Sequence, residues 1–153
     1  MNYSHSDEEL VRQPIGYWSW AAHSAVVGHI RANLAEFGLT QPQWWVLNQV
    51  LAGPDGRRPR TEVVGILRGY LDIGGGPLDE GIDELVVRGL LTEDDERVLA
   101  LTPQGRDVRD RAAERQRTVR DRIHEGVDDE EYVAVLKVLQ RMIHNVGGNA
   151  WHH

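Results

Sequence analysis

Four of the five tryptophans stand in two pairs, Trp18 with Trp20 and Trp44 with Trp45, and Tyr17 and His23 lie beside the first pair. An indole gives a flat apolar wall and one N–H donor, which suits a small aromatic or lipophilic ligand and equally suits core packing. His23 follows Trp20 by three residues, so it shares a helix face with it. It can hydrogen-bond a ligand carboxylate or phenol, or titrate near neutrality. Trp18 and Trp44 fall on apolar stripes and are read first as core. Trp20 and Trp45 fall off those stripes and require a second buried surface, a ligand cleft or another copy of the chain. The candidate ligand-binding residues are Trp18, Trp20, His23, Trp44 and Trp45. A second set is basic: Arg57, Arg58, Arg60 and Arg68, with Arg88 and Arg97 further on. Guanidinium groups are suited to phosphate oxygens, which give affinity without sequence.

Other chemistry is excluded. The chain has no Cys, so it has no disulfide, thiolate metal site or Cys nucleophile. His23 and His29 do not share a clean helix face, and no His pair has i,i+4 spacing. His124 and His144 are read as helix-end or interface residues, and His152-His153 as tail. Gly74-Gly75-Gly76 precedes a helix as a phosphate cradle would. No Lys-Ser/Thr follows it, however, and Asp79-Glu80 would repel phosphate, so a flexible turn is the better reading. No nucleophile elbow or nucleotide fingerprint occurs. No enzymatic activity, cofactor or metal is expected.

These side chains need elements to hold them, and the sequence marks those elements. Residues 1–13 read as a mobile arm. Ile15, Trp18, Ala22, Ala25 and His29 recur at helical spacing in a first helix from Pro14 to Phe37, which Gly38 ends. Thr40 and Gln43 form a capping box for a second helix, stopped at Ala52–Gly56. Thr61 can cap a third helix with Val63, Val64, Leu67 and Leu71 inward, and the glycines at 74–76 break the chain before a fourth, which carries Leu78, Ile82 and Leu85 inward. Two short helices joined by a turn spell a helix-turn-helix. Leu90–Thr92 and Val98–Leu101 read as a small hairpin. Thr102-Pro103 opens a fifth helix to about Glu125, and Asp128 with Glu131 caps a sixth that ends at Gly147-Gly148.

The chain has 153 residues and a formal charge of −7, unevenly spread. Segment 72–96 holds nine acids and one base, whereas 57–70 and 105–122 are each +3. No apolar run reaches the roughly 18 residues of a membrane span, and the N-terminus has no apolar secretory core. A cytoplasmic protein is expected.

The element order and three stretches together resemble the MarR family of bacterial transcriptional regulators. These are Gly38–Leu47, Leu85–Leu91 and Leu99–Gly105 (Leu-Ala-Leu-Thr-Pro-Gln-Gly), and the likeness covers about residues 14–146. The resemblance implies a mainly α fold: a winged helix-turn-helix lobe at 38–102, flanked by dimerisation helices at 14–37 and 103–146, with a tail at 147–153. It also implies a homodimer, a recognition helix in the DNA major groove, a wing arginine in the minor groove, and a small lipophilic ligand between the dimerisation helices and the lobe. Arg57, Arg58, Arg60, Arg68 and Arg97 would then hold double-stranded DNA, with Arg88 assisting.

The sequence departs from this pattern in the fourth helix, whose outward positions include Asp79, Glu80, Asp83 and Glu84. Acids oppose the phosphate contacts on which DNA affinity rests. Helix-dipole stabilisation accounts for Asp79 and Glu80 in the first turn; nothing local accounts for Asp83 and Glu84. The wing, Asp94-Asp95-Glu96-Arg97, is short and acidic. Three readings follow. The first is a ligand-responsive DNA-binding regulator. The second keeps the fold, loses DNA reading, and binds or transforms a small aromatic molecule in a Trp/His-lined cleft. The third is a scaffold for a basic protein partner, which needs the acids of 72–96 on one exposed surface.

Overall fold

The structure is a computed structural model describing residues 2–68 and 76–149. Its elements are α1 (Asp7–Leu10), α2 (Ile15–Ala35), α3 (Gln41–Leu51), β1 (Arg57–Pro59), α4 (Arg60–Arg68), α5 (Gly76–Val87), β2 (Leu91–Glu93), β3 (Val98–Leu101), α6 (Pro103–Ile123) and α7 (Asp129–Asn145). The expected positions of Leu71, Gly74, Gly75, His152 and His153 lie outside the described residues. The six expected helices correspond to α2 through α7. The arm adds α1, a single turn whose Ser6 N–H donates to Glu9 Oε2 at 3.0 Å. The expected two-stranded wing is a three-stranded antiparallel sheet of order β1-β3-β2. Arg57–Pro59, read as a loop, pairs with β3 in the register Arg57↔Ala100, Arg58↔Leu99, Pro59↔Val98. Pro59 has no N–H to give, and it is tolerated because β1 is an edge strand.

Local chemistry sets the helix boundaries. At α3, Thr40 Oγ1 accepts from the Gln43 N–H at 3.3 Å and Gln43 Oε1 accepts from the Thr40 N–H at 3.0 Å. At α7, Asp128 Oδ1 accepts from the Glu131 N–H at 2.8 Å. Gly38 and Gly89 close α2 and α5 with φ of 65° and 69°, the left-handed conformation that costs glycine little. α4 begins one residue before the expected cap Thr61, because the Arg60 N–H donates to Arg97 O at 2.9 Å and joins the helix start to the wing.

The core lies in the lobe. Leu47 and Val50 of α3, Val63 and Leu67 of α4, Leu78, Ile82 and Leu85 of α5, and Leu90, Leu91 and Leu99 around the sheet are all buried in one cluster. Burying each such side chain stabilises the fold by about 1.5–3 kcal/mol. The end helices differ. α7 has no buried residue, although Val133, Val135, Leu136, Val138 and Met142 stud it with exposed apolar side chains. Ile15, Tyr17, Trp18 and Trp20 are likewise exposed on the first half of α2.

The junction between sheet and α6 is tight. Thr102 Oγ1 donates to Gly89 O at 2.6 Å and accepts from the Gly105 N–H at 2.9 Å. A Cβ on Gly105 would lie 1.8 Å from Leu90 O, a backbone atom that cannot rotate away. Gly105→Ala should therefore destabilise the protein by about 2 kcal/mol or more, read as a lowered urea midpoint at unchanged m-value.

Candidate nucleic-acid interface

The second helix of the helix-turn-helix, α5, is the element that would enter a groove, and its acids decide what it can meet. Asp79 and Asp83 are four residues apart and share one helix face. Both turn to Arg60, which is 5% exposed. Arg60 Nε donates to Asp79 Oδ1 at 2.9 Å, Nη2 to the Asp79 carbonyl at 2.9 Å, and Nη1 to Asp83 Oδ1 at 2.7 Å and Glu93 Oε2 at 3.2 Å. Burial works against the charge on Arg60. Its hydrogen bonds to Asp83 and Asp79 and the charges of Asp83 and Glu93 outweigh that and hold its pKa above the ordinary arginine value. The hydrogen bond from Arg60 holds the Asp83 carboxyl below its usual range.

Glu84 is also engaged. Gln43 is 2% exposed, and while its Oε1 serves the α3 capping box, its Nε2 donates to Glu84 Oε2 at 2.7 Å. Asp83 and Glu84, unexplained by local sequence, thus have tertiary partners. Glu80 is exposed.

The expected DNA-binding arginines separate into two groups. Arg60 faces inward and is no phosphate ligand in this geometry, because its guanidinium is surrounded by carboxylates. Arg58 is largely covered and donates to Gln49 Oε1 at 3.2 Å, with Glu62 at 3.3 Å. Arg88 Nη1 donates to the Gly38 carbonyl at 2.7 Å, tying the end of α5 to the α2–α3 corner. Arg57, Arg68 and Arg97 remain at the surface. Arg57 pairs with Asp94 at 2.5 Å and Arg97 with Glu93 at 2.7 Å. Arg97 sits at the wing turn with φ of 63°, where Asp94 Oδ1 accepts from the Glu96 and Val98 N–H groups. Arg68 and Arg97, with Thr61, Val64, Gly65 and Asp79, line a cleft of about 300 Å³ between α4, α5 and the wing.

The five candidate ligand residues do not share one cleft. Trp18, expected in the core, is exposed, because the first half of α2 lies outside the buried core of the lobe. Tyr17 meets it edge-on at 5.5 Å, and Asn2, Tyr3, Ser4, Leu10 and Trp18 line a cleft of about 520 Å³. Trp20 and His23 are exposed on the same half of α2. Trp44 and Trp45 are half-buried against the lobe core, and Trp45, Asn48, Gln49 and Leu67 line a cleft of about 180 Å³.

Sequence reasoning missed Arg109 and Asn48. Arg109 lies over the Trp44 ring at 5.7 Å and donates to Asn48 Oδ1 at 3.0 and 2.8 Å, bracing α6 against α3. No periodicity pairs residues 61 positions apart. Among the described residues, no group of three His, Asp or Glu side chains is placed to hold a metal, and no helix is long and apolar enough to cross a membrane.

No protein-family model matches the chain, and no curated protein matches it. Solved structures do. The transcriptional repressor CouR is 28% identical, with 86% of this chain and 93% of that one covered at a TM-score of 0.70; its form bound to p-coumaroyl-CoA gives 27%, 90%, 96% and 0.70. Sco5413, a MarR family transcriptional regulator from Streptomyces coelicolor, is 17% identical over 93% of this chain and 97% of that one, TM-score 0.71. The Mycobacterium tuberculosis MarR family protein Rv2887 in complex with DNA is 18% identical over 85% and 98%, TM-score 0.64.

Because the folded Asp83 carboxyl is more acidic than its unfolded counterpart, it contributes stability that is present above about pH 4 and lost as pH falls through the folded pKa. Asp83→Asn should be less stable than the parent at pH 7, with the two unfolding curves converging below about pH 4.

Proposed function

We propose that this chain, which has the winged-helix fold of the MarR family transcriptional regulators, works as a homodimeric, ligand-responsive regulator of double-stranded DNA. One observation carries the DNA reading. Three of the four carboxylates of α5 have partners on other elements, Asp79 and Asp83 on Arg60 and Glu84 on Gln43, while Glu80 is exposed. Arg68 and Arg97 stand at the surface beside them, on one cleft. α5 enters the major groove, Arg97 reaches the minor groove from the wing turn, and Arg57 and Arg68 meet phosphates. Arg58 and Arg60 support the lobe from within, and Arg88 ties the end of α5 to the α2–α3 corner at the surface. The reading without DNA drew its support from acids on α5 with no evident role, and the partners of Asp83 and Glu84 weaken that support. The fold neighbours named above are regulators, and no enzymatic step is assigned to this chain.

The dimer follows from what one protomer leaves uncovered. The apolar row on α7 and the aromatic row on α2 belong to the two ends of the chain, and both face solvent. A contiguous apolar area of this kind marks an association surface. An isologous contact would bring each row against a copy of itself or of the other, and set the two lobes on successive major grooves, about 34–36 Å apart.

CouR binds p-coumaroyl-CoA and Rv2887 binds salicylic acid, and a small aromatic acid or its thioester is the ligand class proposed here. The clefts beside Trp18 and Trp45 are its two candidate places. The larger, of about 520 Å³, is within the size range of small-molecule sites. Occupancy favours one lobe spacing and so shifts DNA affinity.

Binding to the duplex upstream of the chain's own coding sequence should weaken with salt, log affinity falling linearly against log salt. Arg68→Ala and Arg97→Ala should each weaken binding and lower that slope by about one; a parent with no salt slope would remove the phosphate contacts. Salicylate or p-coumaroyl-CoA should quench tryptophan fluorescence, and loss of quenching in Trp18→Phe or Trp45→Phe identifies the cleft. If neither compound quenches the parent, the ligand class is wrong.

A further inference from the structure

Arg60 stands among the basic residues that a DNA-binding lobe would use on phosphate, yet its geometry gives it different work. Its guanidinium is buried and has a hydrogen-bond partner on α5 and on β2, while its own backbone N–H donates to the carbonyl of Arg97 in the wing turn. Glu93 then passes the connection outward, for its other oxygen forms an ion pair with Arg97, 2.7 Å from Nε. A continuous charged chain therefore runs from Asp79 and Asp83 on the recognition helix, through Arg60 and Glu93, to the arginine at the wing tip.

We propose that Arg60 is a positioning residue that locks the acidic recognition helix to the wing and offsets part of the charge of the Asp79 and Asp83 carboxylates. The proposal rests on the DNA-binding reading above. Three observations support it. Asp79 and Asp83, at i and i+4, repel each other on one helix face unless a cation lies between them; Arg60 lies there. The planar guanidinium reaches both carboxylates and the Asp79 carbonyl at once, a fork that the single ammonium of lysine does not reproduce. Finally, Arg60 is 5% exposed, too covered to exchange these partners for phosphate without opening the junction. Arg60 offsets part of the charge of the α5 acids and ties Asp79 and Asp83 to the junction with the wing, while both carboxylates keep contact with solvent. Without Arg60 the cluster of Asp79, Asp83, Glu93 and Arg97 is left with one cation for three anions, next to the surface that must meet DNA.

The test uses the full chain in three forms: parent, Arg60→Met, and Arg60→Met combined with Asp79→Asn, Asp83→Asn and Glu93→Gln. Arg60→Lys replaces Arg60→Met if the methionine variant does not fold. Affinity for the upstream duplex is measured across a salt series, and amide hydrogen exchange is followed in α5 and in residues 91–101. Loss of Arg60 alone should weaken DNA binding by about ten-fold or more, leave the salt slope at the parent value, and speed exchange in both segments. Removing the three acids as well should recover most of the affinity, which repair of a packing defect would not do. A salt slope lower by about one would make Arg60 a direct phosphate contact and overturn the proposal. Unchanged exchange, or no recovery in the combined variant, would overturn it too. If the parent itself fails to bind DNA, the functional reading falls, and the exchange measurement still decides whether Arg60 locks the helix to the wing.

Discussion

A guanidinium out of water must be surrounded by acceptors or it costs several kcal/mol. In this lobe that constraint falls on Arg60, and much of the geometry between α4, α5 and the wing depends on how it is met. The start of α4 carries the guanidinium, and the face of α5 and the edge of β2 supply the acceptors. None of the three can move alone without stripping a partner from a buried charge. The apolar core beneath, from Leu47 to Leu99, fixes that the elements pack. Apolar contacts are non-directional, so the charged junction supplies the directional part of the arrangement.

The same logic recurs at smaller scale. Gln43 caps α3 with one end of its amide and holds Glu84 with the other. Arg88 spans from α5 to the Gly38 carbonyl, and Arg109 braces α6 on α3 through Asn48 and the Trp44 ring. Each joins two elements by a polar side chain whose groups are matched. A chain so rich in arginine and acid uses its charges as joints as well as solubilising groups. The exposed pairs of α6, such as Asp107 with Arg111 at 3.5 Å, belong to the second kind and stabilise little.

The lobe is self-sufficient and the end helices are not. α7 has no fully buried residue within its own protomer, yet it carries an apolar row. α2 is mostly exposed along its first half and carries tryptophans there. The ends of the chain are thus built for a second surface, and the proposed dimer supplies it. That arrangement would also bring the Trp18 cleft next to the interface, where a ligand and the lobe spacing can influence each other.

What the sequence by itself determined is local. Capping boxes at Thr40 and Asp128, the turn glycines 38 and 89, and the apolar periods of α3 to α5 act over three or four residues, so they are visible in one dimension. They were enough to place the helices, the hairpin and the resemblance to a winged helix. What only the tertiary structure decided is which charges meet. Arg60 finds its acids 19 to 33 positions away, β1 finds its partner strand some 40 positions on, and the tryptophan pairs, adjacent in composition, end on different surfaces. Asp79, Asp83 and Glu84 look unpartnered as a string of letters because Arg60 and Gln43 lie on other elements. Ion pairing depends on distance in space, and a sequence records that distance only where the backbone is regular.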